Sequence, residues 1–328
     1  MVRIISRRRP IALLAFGTLS ALVISGCADP TPSTGGKSAS ASAKAGSSTA
    51  KSKSQITTSW GNKPVDSVVA LVPAQFKNKA IKNAIYNNFP PQEFLEGNTL
   101  VGIQPDIALA LSEVMGVKLQ NLSVGSFDSL IPGTTSGRYD MSSADFGVTA
   151  DRLKQVDFVS EFKIGTAFAV KKGSGIKVDK ATDLCGHSVG VQSGSYFIDQ
   201  IKGANKECTA AGKDAIDLKT YPDDGARILA ITNGRIEITA TTEDALGYTI
   251  ASQNVPLELQ KFVYAPLEQA IVVPDGSKLG PALHAAMKAI VSNGTYAKIL
   301  KKWGADSLAY ESADDVIYLT DLSQTPKS

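Results

Sequence analysis

The sequence predicts an α/β protein built as two lobes. Short β-rich apolar runs alternate with apolar stripes of helical period over most of residues 65–304. That alternation is the pattern of strands layered with helices. More than 250 residues follow a low-complexity stretch, enough chain for two domains of ordinary size.

The first residues set the compartment. Arg3, Arg7, Arg8 and Arg9 precede a mostly apolar run over residues 11–24 that is too short to span a bilayer. Residues 1–26 therefore read as a signal peptide. Ile24-Ser25-Gly26-Cys27 resembles the lipobox of bacterial lipoproteins, which implies cleavage before Cys27 and acylation of its thiol. The whole chain carries 34 basic and 31 acidic side chains. Removing the four arginines leaves 30 against 31, so the basic balance belongs to the targeting peptide and gives no reason to expect nucleic acid. Residues 28–58 are almost entirely Ala, Ser, Gly, Thr, Lys and Pro. Such a stretch cannot bury enough apolar area to order itself, and reads as a tether with a reach of roughly 30 Å.

The folded part follows in order. Residues 65–72 form a short, apolar, β-rich run. Asp106 can cap a helix carrying Ile107, Ala110, Leu111 and Val114 on one face, stopped at Gly116. Residues 117–124 read as a strand. Ser126 opens a helix through Phe127, Leu130 and Ile131 that fades at Gly137. Residues 139–148 are strand-like and run into a helix start at Thr149. Residues 188–192 form a strand, and Gly194-Ser195 begins a helix. Residues 223–233 are helical and end at Gly234; Ile236, Ile238 and Ala240 alternate as in a strand. Leu279, Leu283, Met287 and Ile290 share a helical face with Gly294 as a stop, and a last helix carries Tyr296, Ile299, Leu300 and Trp303. No repeat of fixed period is present.

Catalytic signatures are missing. His187 and His284 have no partner at metal-ligand spacing, and there is neither a G-x-S-x-G elbow nor a Walker A loop. No metal or cofactor is expected. Once Cys27 is lipidated, Cys185 and Cys208 form the one possible intrachain pair, which suits an oxidising compartment. The alternative is two unpaired buried cysteines.

Several segments match a known family in order. These are Leu100-Val101-Gly102-Ile103-Gln104-Pro105-Asp106, Ser126-Phe127-Asp128-Ser129-Leu130-Ile131-Pro132, Gly137-Arg138-Tyr139-Asp140, Thr149-Ala150-Asp151-Arg152 and Gln155-Val156-Asp157-Phe158. In the second half come Val189-Gly190-Val191-Gln192-Ser193-Gly194-Ser195, Asn233-Gly234-Arg235-Ile236-Glu237 and Gly294-Thr295-Tyr296-Ala297-Lys298-Ile299. Over most of residues 66–304 the chain thus resembles the family 3 solute-binding proteins of ABC transporters, the polar amino-acid binding group. The resemblance implies a type 2 periplasmic-binding-protein clamshell: two α/β lobes joined by two crossing hinge strands, with the ligand in the cleft. Lobe 1 is then 59–166 plus 271–304, lobe 2 is 167–270, and 305–328 is a C-terminal tail. The hinge is expected near residues 166–168 and 268–271. A monomer is expected, anchored outside the cell membrane by Cys27, that passes its ligand to a membrane permease driven by a cytoplasmic ATPase.

The resemblance also nominates site residues. Arg152 matches the arginine that grips a ligand carboxylate, a task suited to a guanidinium because it is planar, always charged and offers parallel donors. Thr149 is its cap, or cap and ligand contact together. Gly147 falls where backbone groups face the ligand. Gly194 and Ser195 open a second-lobe helix toward the cleft; Ser195 is either a plain cap or a donor to the ligand. Tyr196 lines the site or packs outside it. Phe89 matches an aromatic residue that stacks on the ligand, and Phe127 is a second wall or part of the core. Two departures stand out. Where the family places an aspartate for the ligand's ammonium, this chain has Thr242, followed by Glu243, which takes over only if the strand end shifts by one residue. Asp145 stands where small polar residues are usual, so it pairs with Arg152 or receives a cationic ligand group. An enzyme on the same fold, a periplasmic dehydratase using Glu243 or Asp145 as general acid, and a sensor docking on a membrane receptor are the competing readings.

Overall fold

The structure, a computed structural model, describes residues 56–324. The expected signal peptide, Cys27 and nearly all of the 28–58 tether lie outside the described residues.

The chain enters through two short helices, α1 (Asp66–Leu71) and α2 (Ala74–Lys77), then strand β1 (Ile81–Tyr86). A small meander follows: β2 (Asn88–Phe89), β3 (Glu93–Glu96) and β4 (Thr99–Val101). Next come α3 (Ile103–Met115), β5 (Leu119–Val124), α4 (Leu130–Thr135), β6 (Met141–Gly147), α5 (Ala150–Leu153) and the long strand β7 (Val156–Lys171). The second lobe holds β8 (Ser188–Gln192), α6 (Phe197–Ala210), β9 (Asp217–Tyr221), α7 (Asp224–Thr232), β10 (Ile238–Thr242) and α8 (Glu243–Gln253). The chain returns along β11 (Leu257–Pro274) into α9 (Gly280–Ser292), α10 (Thr295–Lys302) and β12 (Tyr318–Leu319).

One mixed sheet runs through both lobes in the order β5-β1-β6-β11-β7-β10-β8-β9. The antiparallel pair β7 and β11 is the spine, in register from Leu257↔Lys171 to Pro274↔Val156 with three shifts on the way. The spine changes partners midway. β10 pairs with residues 166–170 of β7, whereas β12 pairs with Val159 and Phe158. On β11, the contact with β6 begins at Gln269↔Gly147. The crossover between lobes therefore lies along residues 160–166 and 267–270. The outer strands of each half pair in parallel, and each half is packed on both faces, as parallel strands require. In lobe 1, α3, α9 and α10 bury Ile107, Leu111, Leu283, Met287 and Ile299 against one face, and Phe89, Phe146 and Phe158 fill the other. Lobe 2 repeats this with Val189, Val191 and Ile201 on one side and Ile228, Ile231 and Leu246 on the other.

Local signals explain several ends. Gly116 closes α3 with φ +65, and Val117 N–H reaches back to Ser112 O, a glycine-dependent cap. Asp223 caps α7 by accepting from Ala226 N–H at 2.8 Å. The Cys185–Cys208 disulfide is formed, with Cα atoms 5.6 Å apart, and ties the turn before β8 to the last turn of α6.

Three readings need correction. Within 65–72, residues 66–71 are helical: Val68 and, just past the helix end, Val72 both bury into the lobe 1 core, and that packing outweighs the β preference of valine. Asp106 does not cap α3, which begins three residues earlier. Its carboxylate instead accepts from Lys302 Nζ at 2.7 Å and Trp303 Nε1 at 2.8 Å, pinning α10 to α3. Ser195 does not open a helix. Its hydroxyl donates to Gln192 O at 2.6 Å, holding a turn, and α6 starts two residues later. Beyond α10, residues 305–319 pack against the spine and α9. Val316 and Leu319 are buried, Tyr310 Oη donates to Glu268 at 2.7 Å, and Tyr318 Oη donates to Asp157 at 2.8 Å.

Candidate functional site

The strand ends and helix starts that face each other across the spine build one site. On the lobe 1 side, β6 ends at Gly147 and the chain turns into α5. Thr149 caps this helix, its Oγ1 accepting from Arg152 N–H at 3.3 Å. That cap places the Arg152 side chain back over the strand end. The guanidinium is buried and donates to Gly147 O at 2.8 Å and, across the cleft, to Gly194 O at 3.0 Å. It lies 5.7 Å from the Phe127 ring centre and 5.6 Å from that of Phe146, within cation–π range of both. Burial lowers its pKa to about 10, so it stays charged at neutral pH.

Lobe 2 closes onto this surface. The Tyr196 ring lies flat over Gly147, where a Cβ would come within 2.4 Å of Tyr196 Cδ1. Glycine is needed there because the two lobes touch. Tyr196 Oη accepts from Gln269 Nε2 at 3.3 Å, on the spine. Gln92 Nε2 of lobe 1 donates to Asp244 Oδ2 at 2.5 Å. Between the lobes remains a cavity of about 10 Å³, lined by Phe89, Phe127, Ala144, Asp145, Gln192, Ser195, Tyr196 and Phe197. This is room for about one water molecule. Larger depressions lie elsewhere on the surface, one of about 380 Å³ beside Thr99 and Asp106 and one of about 550 Å³ beside Lys82 and Arg138. Both are open and lack the convergent charged groups of the cleft.

The cleft is rich in covered acids. Asp145, on β6, has φ +49, a left-handed conformation that aspartate tolerates better than most residues. It is 5% exposed and its Oδ1 has no hydrogen-bond partner. Burial pushes its carboxyl well above the usual range; Asp244 and Glu161 push the same way, and Arg152 opposes them. Glu93 is fully buried with neither carboxylate oxygen partnered. Burial raises it strongly, reinforced by Asp145, Glu161, Asp244 and Asp224. Glu93 is held here by α3, whose first N–H groups bind the preceding turn: Ile103 N–H donates to Pro91 O at 3.1 Å and Gln104 N–H to Gln92 O at 2.9 Å. Gly102 permits this approach, since a Cβ there would sit 2.3 Å from Gln92 O. Asp244 is raised by burial, an effect eased by Thr242, Gln92 and the N–H groups of Ala245 and of Asp244 itself.

The structure thus brings Arg152, Thr149, Gly147, Asp145, Phe89, Phe127, Gly194, Ser195 and Tyr196 to one cleft. Thr242 is buried at its edge as the residue before α8. Glu243 is exposed and turned away, because the strand ends at Thr242 and a helix begins at once. Sequence reasoning missed Asp244, Glu93, Gln92 and Phe146. A signal for Asp244 was available: Thr242 followed by two acids is a helix start, and the second acid then lies within the first turn. Glu93 gave no such sign, because an acid in a polar stretch reads as exposed.

Known proteins resemble this chain in sequence and fold. The profile of the bacterial extracellular solute-binding proteins, family 3, matches residues 81–306. The arginine-binding protein ArgT of Corynebacterium glutamicum is 24% identical over 246 residues, 74% of this chain and 80% of its own. The arginine-binding extracellular protein ArtP of Bacillus subtilis is 30% identical over 222 residues, 66% of this chain and 82% of its own. A solved structure of an ancestral arginine-binding protein bound to glutamine is 30% identical, with a TM-score of 0.61 over 69% of this chain and 98% of that one. The two-lobed fold is that of the type 2 periplasmic binding proteins, and the chain belongs to the bacterial extracellular solute-binding proteins, family 3.

Proposed function

We propose that the protein is the lipid-anchored substrate-binding component of an ABC importer and that it captures an amino acid or a related small carboxylate by closing its cleft. The observation that carries this is Arg152. It is a buried guanidinium at the lobe interface, flanked by Phe127 and Phe146 and donating to main-chain carbonyls of both lobes. A ligand carboxylate is a stronger acceptor for those N–H groups than a neutral carbonyl. Thr149 orients the arginine, and Gly147 lets the Tyr196 ring of the other lobe close over the strand end. The lobe carrying Gly194, Ser195 and Tyr196 then adds contacts that favour the closed form. The closed form is what the permease recognises before its ATPase drives transport. Cys27 holds the monomer to the outer face of the membrane, and residues 28–58 let it turn. The names of the relatives make arginine one of the first ligands to try.

Isothermal titration of the purified protein against a panel of amino acids and small organic acids tests this reading. Arg152→Ala removes a charge-assisted contact made in a buried site, a loss of about 2–5 kcal/mol, or roughly 30-fold to several-thousand-fold in affinity. Equal binding by Arg152→Ala would remove the assignment. For the anchor, Cys27→Ser is expected to move the protein from the detergent phase to the aqueous phase in phase partitioning. A variant that stays with detergent would rule out lipidation at that residue.

A further inference from the structure

A clamshell closes by bending where its lobes join. Here two clasps bracket that stretch of the spine. On the lobe 2 side, Gln200 of α6 accepts from Thr166 Oγ1 on β7 and donates to Ala265 O on β11 at 2.7 Å. On the lobe 1 side the clasp is the C-terminal segment. β12 pairs with Val159 and Phe158, Ser160 N–H donates to Ile317 O at 3.0 Å, and Ile317 N–H donates to Ser160 Oγ at 2.8 Å. Tyr310 then reaches the other spine strand, its Oη donating to Glu268 Oε2 at 2.7 Å. Tyr296 stacks beside it, with ring centres 6.1 Å apart, and donates to Glu161 O at 2.6 Å. Between the clasps remain residues 162–165 of β7 and 266–267 of β11. The register of β11 shifts there, next to Ala265, whose φ of +42 is left-handed.

Glu268 stands where the C-terminal segment meets the cleft. Its main-chain O accepts from Val148 N–H at 2.8 Å, one residue past Gly147. Neighbouring strand residues point to opposite sides. Glu268 accordingly turns its side chain to Tyr310, and Gln269 turns its own to Tyr196 of the other lobe. One carboxylate therefore fixes a stretch of strand that supports both the end of β6 and a contact across the cleft. Among the described residues, the hydrogen bonds of 305–319 to the rest of the chain all go to lobe 1 or to the spine, with His284, Lys288 and Asp157 as further partners. The family profile stops at residue 306, so nearly all of this segment lies past the matched residues.

We propose that residues 305–319 are a strap that fixes where the spine bends, and that Tyr310, acting through Glu268, is a positioning residue for closure of the cleft. This rests on reading the cleft as a solute site that closes. With the phenol in place, the strand at 268–269 is held and Gln269 stays aimed at Tyr196. Without it, that strand gains freedom that closure must remove again, and the closed form loses population.

The test pairs hydrogen exchange of the ligand-free protein with calorimetric titration of L-arginine, on the unaltered protein and on Tyr310→Phe. The substitution keeps the stacked ring and removes one hydrogen bond. Exchange should quicken at residues 194–197 of lobe 2, to which the strap makes no hydrogen bond, and arginine affinity should fall roughly 3–10-fold. Glu268→Gln still accepts from Tyr310 and should restore the parental pattern, whereas Glu268→Leu should reproduce Tyr310→Phe and carries the test if that variant does not fold. In a Gln269→Leu background, Tyr310→Phe should add little, because both act through one contact. Quickened exchange confined to residues 305–319 and the spine beside them gives the strap a merely structural role and overturns the proposal, whether or not arginine binds. Failure of the unaltered protein to bind arginine counts against that ligand, and the exchange comparison then decides the strap by itself. The wider ligand panel with Arg152→Ala judges the solute-binding reading separately.

Discussion

Glu161 makes the stability of the ligand-free protein depend on pH in a direction that can be worked out. It sits on β7 where the spine crosses lobe 1, with no exposed surface. Its Oε2 accepts from Gln104 Nε2 at 3.1 Å, while Oε1 and the facing Gln104 Oε1 have no partner. A protonated Glu161 can donate to Gln104 Oε1 and complete the pair; an ionised one cannot. Burial pushes its pKa to about 8, with the Gln104 hydrogen bond opposing. In the unfolded chain the value is about 4.3. The fold therefore holds this proton more tightly than the unfolded chain does. The resulting stability is full below about pH 4.3 and is lost progressively as pH rises to about 8. At about 1.4 kcal/mol per pH unit, the loss by pH 7 is on the order of 4 kcal/mol. Glu161→Gln is neutral at every pH and can make both hydrogen bonds to Gln104. The variant should match the parent at about pH 4 and melt on the order of 10 °C higher at about pH 7.5, by the usual conversion for a chain this size. Differential scanning calorimetry of both proteins, ligand-free, across about pH 4–8.5 measures the difference. A melting difference that stays constant with pH, or a variant less stable at neutral pH, would refute the reasoning.

Two further outcomes follow from the geometry. Gly147→Ala puts a methyl 2.4 Å from Tyr196 Cδ1 in the closed form, which the open form escapes. Overpacking of this kind costs about 1–3 kcal/mol, so affinity should fall roughly 5–150-fold with little change in ligand-free melting. Unchanged affinity, read by titration calorimetry, would show that the lobes do not meet there. The Cys185–Cys208 bridge spans a sequence separation of 23, for which chain entropy gives about 3 kcal/mol. Replacing both by serine should lower the urea midpoint by a corresponding amount, and an unchanged midpoint would mean the bridge constrains little.

The elements legible in the sequence are those with one period and a clear stop. α7 ends at the stop read at Gly234, and β10 falls where the alternation of Ile236, Ile238 and Ala240 places it. The spine was not legible. β7 is buried on both faces over nearly all of its 16 residues, so no two-residue alternation marks it, and it belongs to both lobes at once. α8 escaped because its sequence EDALGYTIASQ is mostly polar and small, with little apolar stripe to betray a helix. The same blind spot hid Asp244: with no helix read after the strand, nothing placed it, whereas α8 turns it toward Gln92. Arg152 was nominated by its match to the family's arginine, and Thr149 three residues ahead caps the helix that carries it. Tertiary packing alone decided that Glu93 would be covered.

Arg152 does more than mark one wall of the cleft. In the closed form it donates to Gly147 O of its own lobe and to Gly194 O of the other, so it senses closure as well as charge. A ligand without a carboxylate would have to displace these carbonyls with an acceptor no stronger than they are, and would gain little. A carboxylate gains roughly twice the strength per hydrogen bond. Under the proposed reading, a carboxylate seated on Arg152 would therefore meet donors that already bridge the two lobes, so recognition of the anion and closure of the cleft would run through one side chain.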